Sequence, residues 1–287
     1  MASFTETDLI LNPDGSVYHL NLKPEHIAEN VIVVGDPGRV FKVSSHFDKI
    51  EFEINKREFI THTGWYRDKR ITVLSTGIGT DNVEICMTEL DALVNVDLTK
   101  REVKPDRRSL NIIRIGTSGA LQEDIPVGAH LATEYAVGMD NLMEFYDFPM
   151  DAFEVSIAED IRQKVELPFR PYVVKGSSEL LQRIGEGMIT GNTLTSPGFY
   201  APQGRSVRAQ VRFPRLLDDL TAYHDATSQF WLTNFEMETS ALYSLGRMLG
   251  HRMLSTNAII ANRARKKFAK NSEKAVEDLI VHVLERL

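Results

Sequence analysis

An aromatic ring, an amide and a guanidinium lie close together in segment 192–205, which is otherwise apolar and rich in Gly and Pro. The three side chains are Phe199, Gln203 and Arg205. An aromatic face, an amide that both donates and accepts, and a fixed cationic fork suit a flat heterocycle with carbonyl edges. Polar loops are usually only solvated, so this segment indicates a binding site only if other parts of the chain support it.

Two glycine-rich turns follow apolar, β-branched runs, and each motif carries an arginine. The first motif is 31–39, with Gly35 and Arg39, and the second is 114–120, which begins with Arg114. Glycine at a strand end lets backbone N–H groups approach an anion, and arginine can bind two of its oxygens. Arg114 inside an apolar strand needs a counter-ion, either a carboxylate of the protein or a ligand anion. The two arginines together favour phosphate, although no Gly-Lys-Ser/Thr follows, so a nucleoside triphosphate is not expected.

Two carboxylates flank a methionine in segment 234–241, where a helical apolar pattern begins. Acidic residues in the first turn of a helix often serve only the helix dipole. Alternatively, Glu236 and Glu238 could bind the vicinal hydroxyls of a ribose, with Met237 as an apolar floor beneath the sugar.

The composition excludes several classes of function. The formal net charge of −7 and the isoelectric point near 5.7 argue against a nucleic-acid-binding protein. The sequence has no basic region followed by an apolar one at its start and no long apolar run, so a cytoplasmic location without membrane association is expected. The single cysteine, Cys86, excludes an intrachain disulfide and a cysteine-based zinc site, and we expect it to be a small core residue.

Apolar runs alternate with segments of helical period, which predicts an α/β layered fold with function at the strand ends. No repeat or linker interrupts residues 1–287, so a single domain is expected. Segment 191–230 is the least regular part and is expected to be an ordered but mobile insertion near a site. The predicted strands are Val31–Val34, Ile71–Leu74, Asn111–Ile115, Tyr172–Val174, Met188–Thr190 and Met253–Ala261. Three helices are predicted: one starts with a capping box at Asp81 and Glu84, a second runs from Met237 to Leu249 before Gly250, and a third covers 273–287.

Four motifs resemble, in order and spacing, the signature set of the nucleoside phosphorylase superfamily: 35–39, 75–79, 114–120 and 234–241. Segment 199–205 resembles the base-binding segment of uridine phosphorylases. The resemblance covers the chain from about Tyr18 to its end. It implies a three-layer αβα sandwich with a central mixed sheet and a homodimer as the minimal unit, from which a hexamer could be built.

The resemblance also implies roles for individual residues. Phosphate would be held by Gly35, Arg39, Arg57, Arg114 and Thr117, the ribose by His19, Thr117, Met237 and Glu238, and the base by Phe199, Gln203, Arg205, Phe235, Glu236 and Arg263. His19 and Arg57 would reach the site of the neighbouring subunit. Arg114, Arg205 and Glu238 would carry catalysis.

The implied reaction is phosphorolysis of uridine to uracil and ribose 1-phosphate, in salvage or catabolism. A purine nucleoside phosphorylase, then a nucleosidase, then a non-catalytic nucleoside-binding relative are the alternatives. Phosphate is a co-substrate, and no cofactor or metal is expected. The resemblance also implies a monovalent-cation site that involves Glu58 at the dimer interface. Uridine phosphorylases of this group often have a Pro-Ser pair where this chain has Asp81-Asn82, and this difference argues against that site.

Overall fold

Helices and strands alternate along most of the chain, as the spacing of its apolar runs predicts. The computed structural model describes residues 4–287. The strands are β1 Asn30–Val34, β2 Lys49–Lys56, β3 Phe59–Tyr66, β4 Lys69–Ser75, β5 Val96–Asp97, β6 Glu102–Val103, β7 Asn111–Ala120, β8 His130–Gly138, β9 Tyr172–Lys175, β10 Ile189–Thr195, β11 His224–Asp225, β12 Phe230–Trp231, β13 Asn234–Glu236, β14 Arg252–Asn262 and β15 Lys267–Phe268.

The helices are α1 Pro37–Ser44, α2 Thr80–Asn95, α3 Ala152–Lys164, α4 Ser178–Ile184, α5 Leu216–Ala222, α6 Thr239–Leu249 and α7 Ser272–Arg286, with short 3₁₀ turns at Pro24–His26, Leu142–Phe145 and Ala201–Gln203. In the part of the chain from residue 4 onward, no helix has both the length and the apolar character needed to cross a membrane.

An 11-stranded mixed sheet forms the centre of the molecule, and part of it closes on itself. The strand order is β15-β14-β8-β10-β13-β7-β1-β4-β3-β2, with β9 beside β8. β14 pairs in parallel with β7 and antiparallel with β8, so these strands, together with β10 and β13, form a closed ring. The ends of β7 and β14 are thereby held in a fixed register.

Helices cover both faces of the sheet, because successive residues of each strand point to opposite sides. Val31 and Val33 of β1 join an apolar cluster that includes residues of α2 and α6. Ile32 and Val34 join a second cluster, which includes residues of α1, α4 and α7. The predicted three-layer αβα arrangement around a mixed sheet is confirmed. Cys86 is buried in the first cluster, as expected.

Two helix starts differ from the prediction. α2 begins at Thr80 after Gly79, whose φ of +98° suits glycine, and no side chain caps it. The predicted capping box at Asp81 is therefore wrong. α6 begins at Thr239, two residues after the predicted start at Met237, and it ends as predicted at Gly250 with φ +79°.

Candidate active site

The loops after two neighbouring parallel strands meet at one edge of the sheet. β1 pairs in parallel with β4, and the loops that follow them touch, since a Cβ on Gly35 would lie 3.3 Å from the carbonyl oxygen of Gly77. The side chain of Asp36 then caps α1 by accepting from the backbone N–H of Gly38 at 2.9 Å. The chain turns away from the sheet here and leaves a depression at the strand ends, where α/β proteins usually bind ligands.

This depression is part of a cavity of about 670 Å³, which extends to the loop after β10. Its lining brings together most of the residues that the sequence predicts for phosphate, ribose and base: Gly35, Arg39, Arg114, Thr117, Phe199, Gln203, Arg205, Phe235, Glu236, Met237 and Glu238. These residues come from segments that are far apart in the sequence. The predicted constellation is therefore assembled within one cavity of a single chain.

Arg114 is buried in the middle of β7. Its place in an apolar strand calls for a counter-ion, and the structure supplies carboxylates of the protein. Arg114 Nη2 lies 2.6 Å from Glu238 Oε2 and 3.0 Å from Glu236 Oε2. Its Nη1 donates to Asn257 Oδ1 at 2.9 Å. Burial by itself would lower the pKa of Arg114, but the charges of Glu236 and Glu238 outweigh that effect and raise it. The guanidinium is therefore a fixed positive charge in the cavity wall.

Arg39 provides a second cation at the same end of the cavity. Its Nη1 donates to the backbone carbonyl of Ile115 at 3.1 Å, which directs the side chain towards β7. Burial lowers the pKa of Arg39, and the neighbouring charge of Arg114 lowers it further. Two cations that are partly removed from water attract an anion, because the anion relieves their mutual repulsion.

Glu236 and Glu238 use their carboxylates differently. Both oxygens of Glu236 accept from protein donors: the hydroxyl of Thr195 at 2.7 Å, the backbone N–H of Glu238 at 2.9 Å and the backbone N–H of Thr239 at 3.0 Å. Glu238 accepts from the backbone N–H of Gly79 at 2.9 Å as well as from Arg114. Glu236, which the resemblance places near the base, is thus an anchor at the start of α6.

The base-directed residues contact one another at the other end of the cavity. The guanidinium carbon of Arg205 lies 3.8 Å from the centre of the Phe199 ring, and its Nη1 donates to Gln203 Oε1 and to the Phe199 carbonyl, each at 2.5 Å. Burial, followed by the charge of Arg263, lowers the pKa of Arg205 to about 10. Arg205 therefore covers one face of Phe199, an arrangement that the sequence does not predict.

Phe235 lines this end of the cavity, and Arg263 lies behind it. Phe235 is buried beside Gly119, where an added Cβ would lie 3.4 Å from its ring. The guanidinium of Arg263 lies 5.6 Å from the centre of that ring and donates to the Gln203 carbonyl at 3.3 Å. Arg263 itself does not line the cavity, so its contact with the base-binding segment is through Gln203.

His19 and Arg57 do not reach the cavity of their own chain. The backbone N–H of His19 donates to the carboxylate of Glu89 at 3.0 Å, and its ring Nδ1 lies 2.7 Å from the same carboxylate. Arg57 is exposed in the turn between β2 and β3, with φ +53°. The resemblance places both in the site of the neighbouring subunit, so their roles stay predictions.

Several cavity residues were not predicted as ligands. Gly77, Ile78 and Asn82 belong to the loop after β4 and the start of α2, while Ser118, Ile260, Ala261 and Phe268 come from β7, β14 and β15. The strand-end position of Ser118, next to Thr117, is a signal that could have identified it. Phe268, which is 75% exposed at the cavity, has no comparable signal. Within residues 4–287, no three His, Cys, Asp or Glu side chains cluster as a metal site.

Two known proteins are similar in sequence to most of this chain. A uridine phosphorylase of Thermococcus kodakarensis is 32% identical over 265 residues, which are 91% of this chain and 83% of that protein. A uridine phosphorylase of Haemophilus influenzae is 29% identical over 275 residues, which are 93% and 95% of the two chains.

A solved structure is similar over almost the whole length of both chains. It is the crystal structure of a Trypanosoma brucei nucleoside phosphorylase that shows uridine phosphorylase activity, and it superposes with a TM-score of 0.89 at 30% identity, covering 98% of this chain and 99% of that one. The family model of the phosphorylase superfamily matches residues 29–286. The chain belongs to the phosphorylase superfamily.

Proposed function

We propose that this protein catalyses the phosphorolysis of uridine, in which uridine and phosphate give uracil and ribose 1-phosphate. One observation carries the proposal: a single cavity is lined by Arg39 and Arg114, by Phe199, Gln203 and Arg205, and by the Glu238 carboxylate that is paired with Arg114. The uridine phosphorylase names of the relatives described above support the same substrate. Arginine at position 263, rather than an aspartate that could protonate a purine ring nitrogen, favours the pyrimidine over the purine.

Phosphate is the nucleophile in the proposed reaction. Arg39 and Arg114 hold it beside the anomeric carbon, and Arg57 of a second copy joins them. As the bond between the sugar and the base breaks, a phosphate oxygen forms the new bond to the anomeric carbon. Positive charge develops on the sugar in the transition state, and the bound anion stabilises it.

The electron pair of the broken bond leaves with the uracil. Arg205 and Gln203 stabilise the negative charge that develops on the uracil carbonyls. A lowered pKa of about 10 still leaves Arg205 protonated at neutral pH, so it acts as an electrostatic partner and the uracil anion takes its proton from water. The reaction needs no covalent enzyme intermediate and no cofactor, because positioning and charge carry it.

The sugar lies between these two ends. Glu238 accepts from ribose hydroxyls, Met237 packs against the sugar ring, and Thr117 contacts both the sugar and phosphate. His19 of a second copy binds the 5′-hydroxyl. The active unit is therefore a homodimer, from which a hexamer can be assembled, and it works in cytoplasmic pyrimidine salvage or catabolism.

Absorbance-monitored cleavage of uridine with and without phosphate tests the proposal. We expect uracil release only when phosphate is present, with ribose 1-phosphate as the second product, and slower cleavage of inosine. Equal rates without phosphate would show a nucleosidase instead, and faster cleavage of inosine would show a purine phosphorylase.

A further inference from the structure

An amide side chain lies deep in the sheet behind the cavity. Asn257 is in β14, within the apolar run from Met253 to Ala261, and its exposure is 0%. A buried amide is costly unless its polar atoms find partners. Its Oδ1 accepts from Arg114 Nη1 at 2.9 Å, while its Nδ2 has only a distant contact, 3.5 Å from Ser255 Oγ. The close contact made by the Asn257 side chain is therefore the one to the Arg114 guanidinium.

The register of two strands explains how this contact arises. β14 runs parallel to β7, with Ser255 opposite Arg114 and Asn257 opposite Gly116. The Arg114 side chain lies over Gly116, two residues further along β7, where an added Cβ would be 1.8 Å from Nη1. Gly116 therefore leaves a groove for the guanidinium, and Asn257 on the neighbouring strand closes its side.

The charges around Arg114 explain why a neutral acceptor suits this position. Nη2 is already shared by the carboxylates of Glu236 and Glu238. A third carboxylate at position 257 would add negative charge beside the place where an anion must bind. The amide oxygen orients Nη1 without adding that charge, and so it fixes the plane of the guanidinium while leaving its attraction for an anion intact.

We propose that Asn257 is a positioning residue for phosphate, which acts by holding the guanidinium plane of Arg114. The inference rests on the proposed function, in which Arg114 binds phosphate. Asn257 does not line the cavity, so its effect on phosphate is entirely through Arg114. Its loss should weaken phosphate binding and leave uridine binding nearly unchanged.

Calorimetric titration of the whole protein with inorganic phosphate, and separately with uridine, tests this role. Asn257→Ala should weaken phosphate binding roughly 10- to 100-fold, the effect of losing one hydrogen bond to a charged group, with uridine binding within about two-fold. Thr256→Val is the matched control. Thr256 is the neighbouring buried residue, and its hydroxyl donates to the backbone carbonyl of Arg114 at 2.8 Å rather than to the guanidinium. This variant should bind phosphate like the unaltered protein.

A double-mutant cycle tests whether the effect passes through Arg114. Adding Asn257→Ala to Arg114→Lys should cause little further loss of phosphate binding, because lysine lacks the planar guanidinium that Asn257 holds. A further loss as large as in the otherwise unaltered protein would overturn the proposal. If Asn257→Ala does not fold, Asn257→Leu keeps the size and shape of the side chain without an acceptor for Arg114 Nη1, and it should weaken phosphate binding by a similar factor.

The outcomes separate this inference from the proposed function. No phosphate binding by the unaltered protein would overturn the proposed function. Normal phosphate binding by the unaltered protein, together with equally tight binding by Asn257→Ala or by Asn257→Leu, would overturn only the role of Asn257.

Discussion

Arg114 and Glu238 form a nearly fully buried ion pair, with Nη2 and Oε2 separated by 2.6 Å and side-chain exposures of 6% and 7%. The other oxygen of Glu238 accepts from Gly79, at the start of α2. The carboxylate proposed to bind the sugar is thus bonded directly to the arginine proposed to bind phosphate. Removing either charge leaves the other buried without its partner, which is costly.

Arg39→Ala should weaken phosphate binding by about 2–5 kcal/mol, because it removes a desolvated cation from the anion. Steady-state kinetics at varied phosphate concentration measures this as a higher KM for phosphate and a lower kcat. Lys42→Ala is the control, since Lys42 is an exposed cation on the same helix and should change neither constant. An unchanged KM for phosphate in Arg39→Ala would remove Arg39 from the anion site.

Arg205→Ala should lower kcat/KM for uridine by about 3 kcal/mol, or roughly a hundredfold, as when one donor to a developing oxyanion is lost. The rate of uridine phosphorolysis at saturating phosphate measures the effect. Arg208→Ala, which removes an exposed arginine three positions away, should retain full activity. Equal activity of the two variants would contradict the base-directed role of Arg205.

The pH profile should show an acidic limb that belongs to Glu238. Burial, followed by the nearby charge of Glu236, raises the pKa of Glu238 above the ordinary value of 4.5, although Arg114 opposes this shift. Glu238 must be ionised to accept from ribose hydroxyls. As pH falls through the raised pKa, uridine affinity should therefore decline at a pH above 4.5.

Uridine binding measured by titration calorimetry from neutral to mildly acidic pH shows whether this limb exists. Glu238→Gln cannot titrate, so its weaker uridine binding should not vary across the same pH range. If the variant retained the acidic limb, another group would be responsible for it.

Two inactive variants should restore activity when they are mixed. His19→Ala/Arg57→Ala lacks the residues proposed to cross the dimer interface, and Arg205→Ala lacks the base-directed cation. A mixed dimer would rebuild one intact site from the second chain's His19 and Arg57 and the first chain's Arg205. Co-refolding followed by a uridine assay measures the recovery.

Mass spectrometry of the mixture provides the control, because it shows whether the mixed dimer has formed. Activity that stayed at the level of the separate variants, although mixed dimers were present, would mean that the site is not shared and that His19 and Arg57 are ordinary surface residues.

Local patterns were sufficient to single out Gly35, Arg39 and Arg114, which the structure brings together in one cavity. Gly35 directly follows β1, Arg39 lies in the first turn of α1, and Arg114 lies within β7. The edge where parallel strands end follows from the βα alternation. The sequence therefore predicts that Arg114 needs a counter-ion, but it leaves open a carboxylate or a ligand anion and favours phosphate, whereas the structure pairs Arg114 with Glu236 and Glu238. A search for continuous apolar runs does not, however, find β2. This strand lies at the edge of the sheet, and its exposed and half-buried residues alternate along its length, which is the two-residue period of a half-buried strand.

Contacts between distant segments were outside the reach of local patterns. The stacking of Arg205 on Phe199 depends on how the loop after β10 folds back on itself. The start of α2 has no side-chain cap, and the backbone N–H of Gly79 instead donates to Glu238, 159 residues away in sequence. Asn257 could have been noticed as an amide in an apolar strand, but its partner becomes apparent only from the register of β14 against β7.

The closure of the sheet through β14 also determines when the site can form during folding. Arg114 and Asn257 are 143 residues apart in the chain, and their contact requires that the loop between them be closed, with the loss of conformational entropy that this entails. Such pairings between distant segments slow the folding of a protein. During synthesis, Arg114 cannot make its contact with Asn257 until β14 has left the ribosome, so a nascent chain that ends before residue 252 lacks this contact.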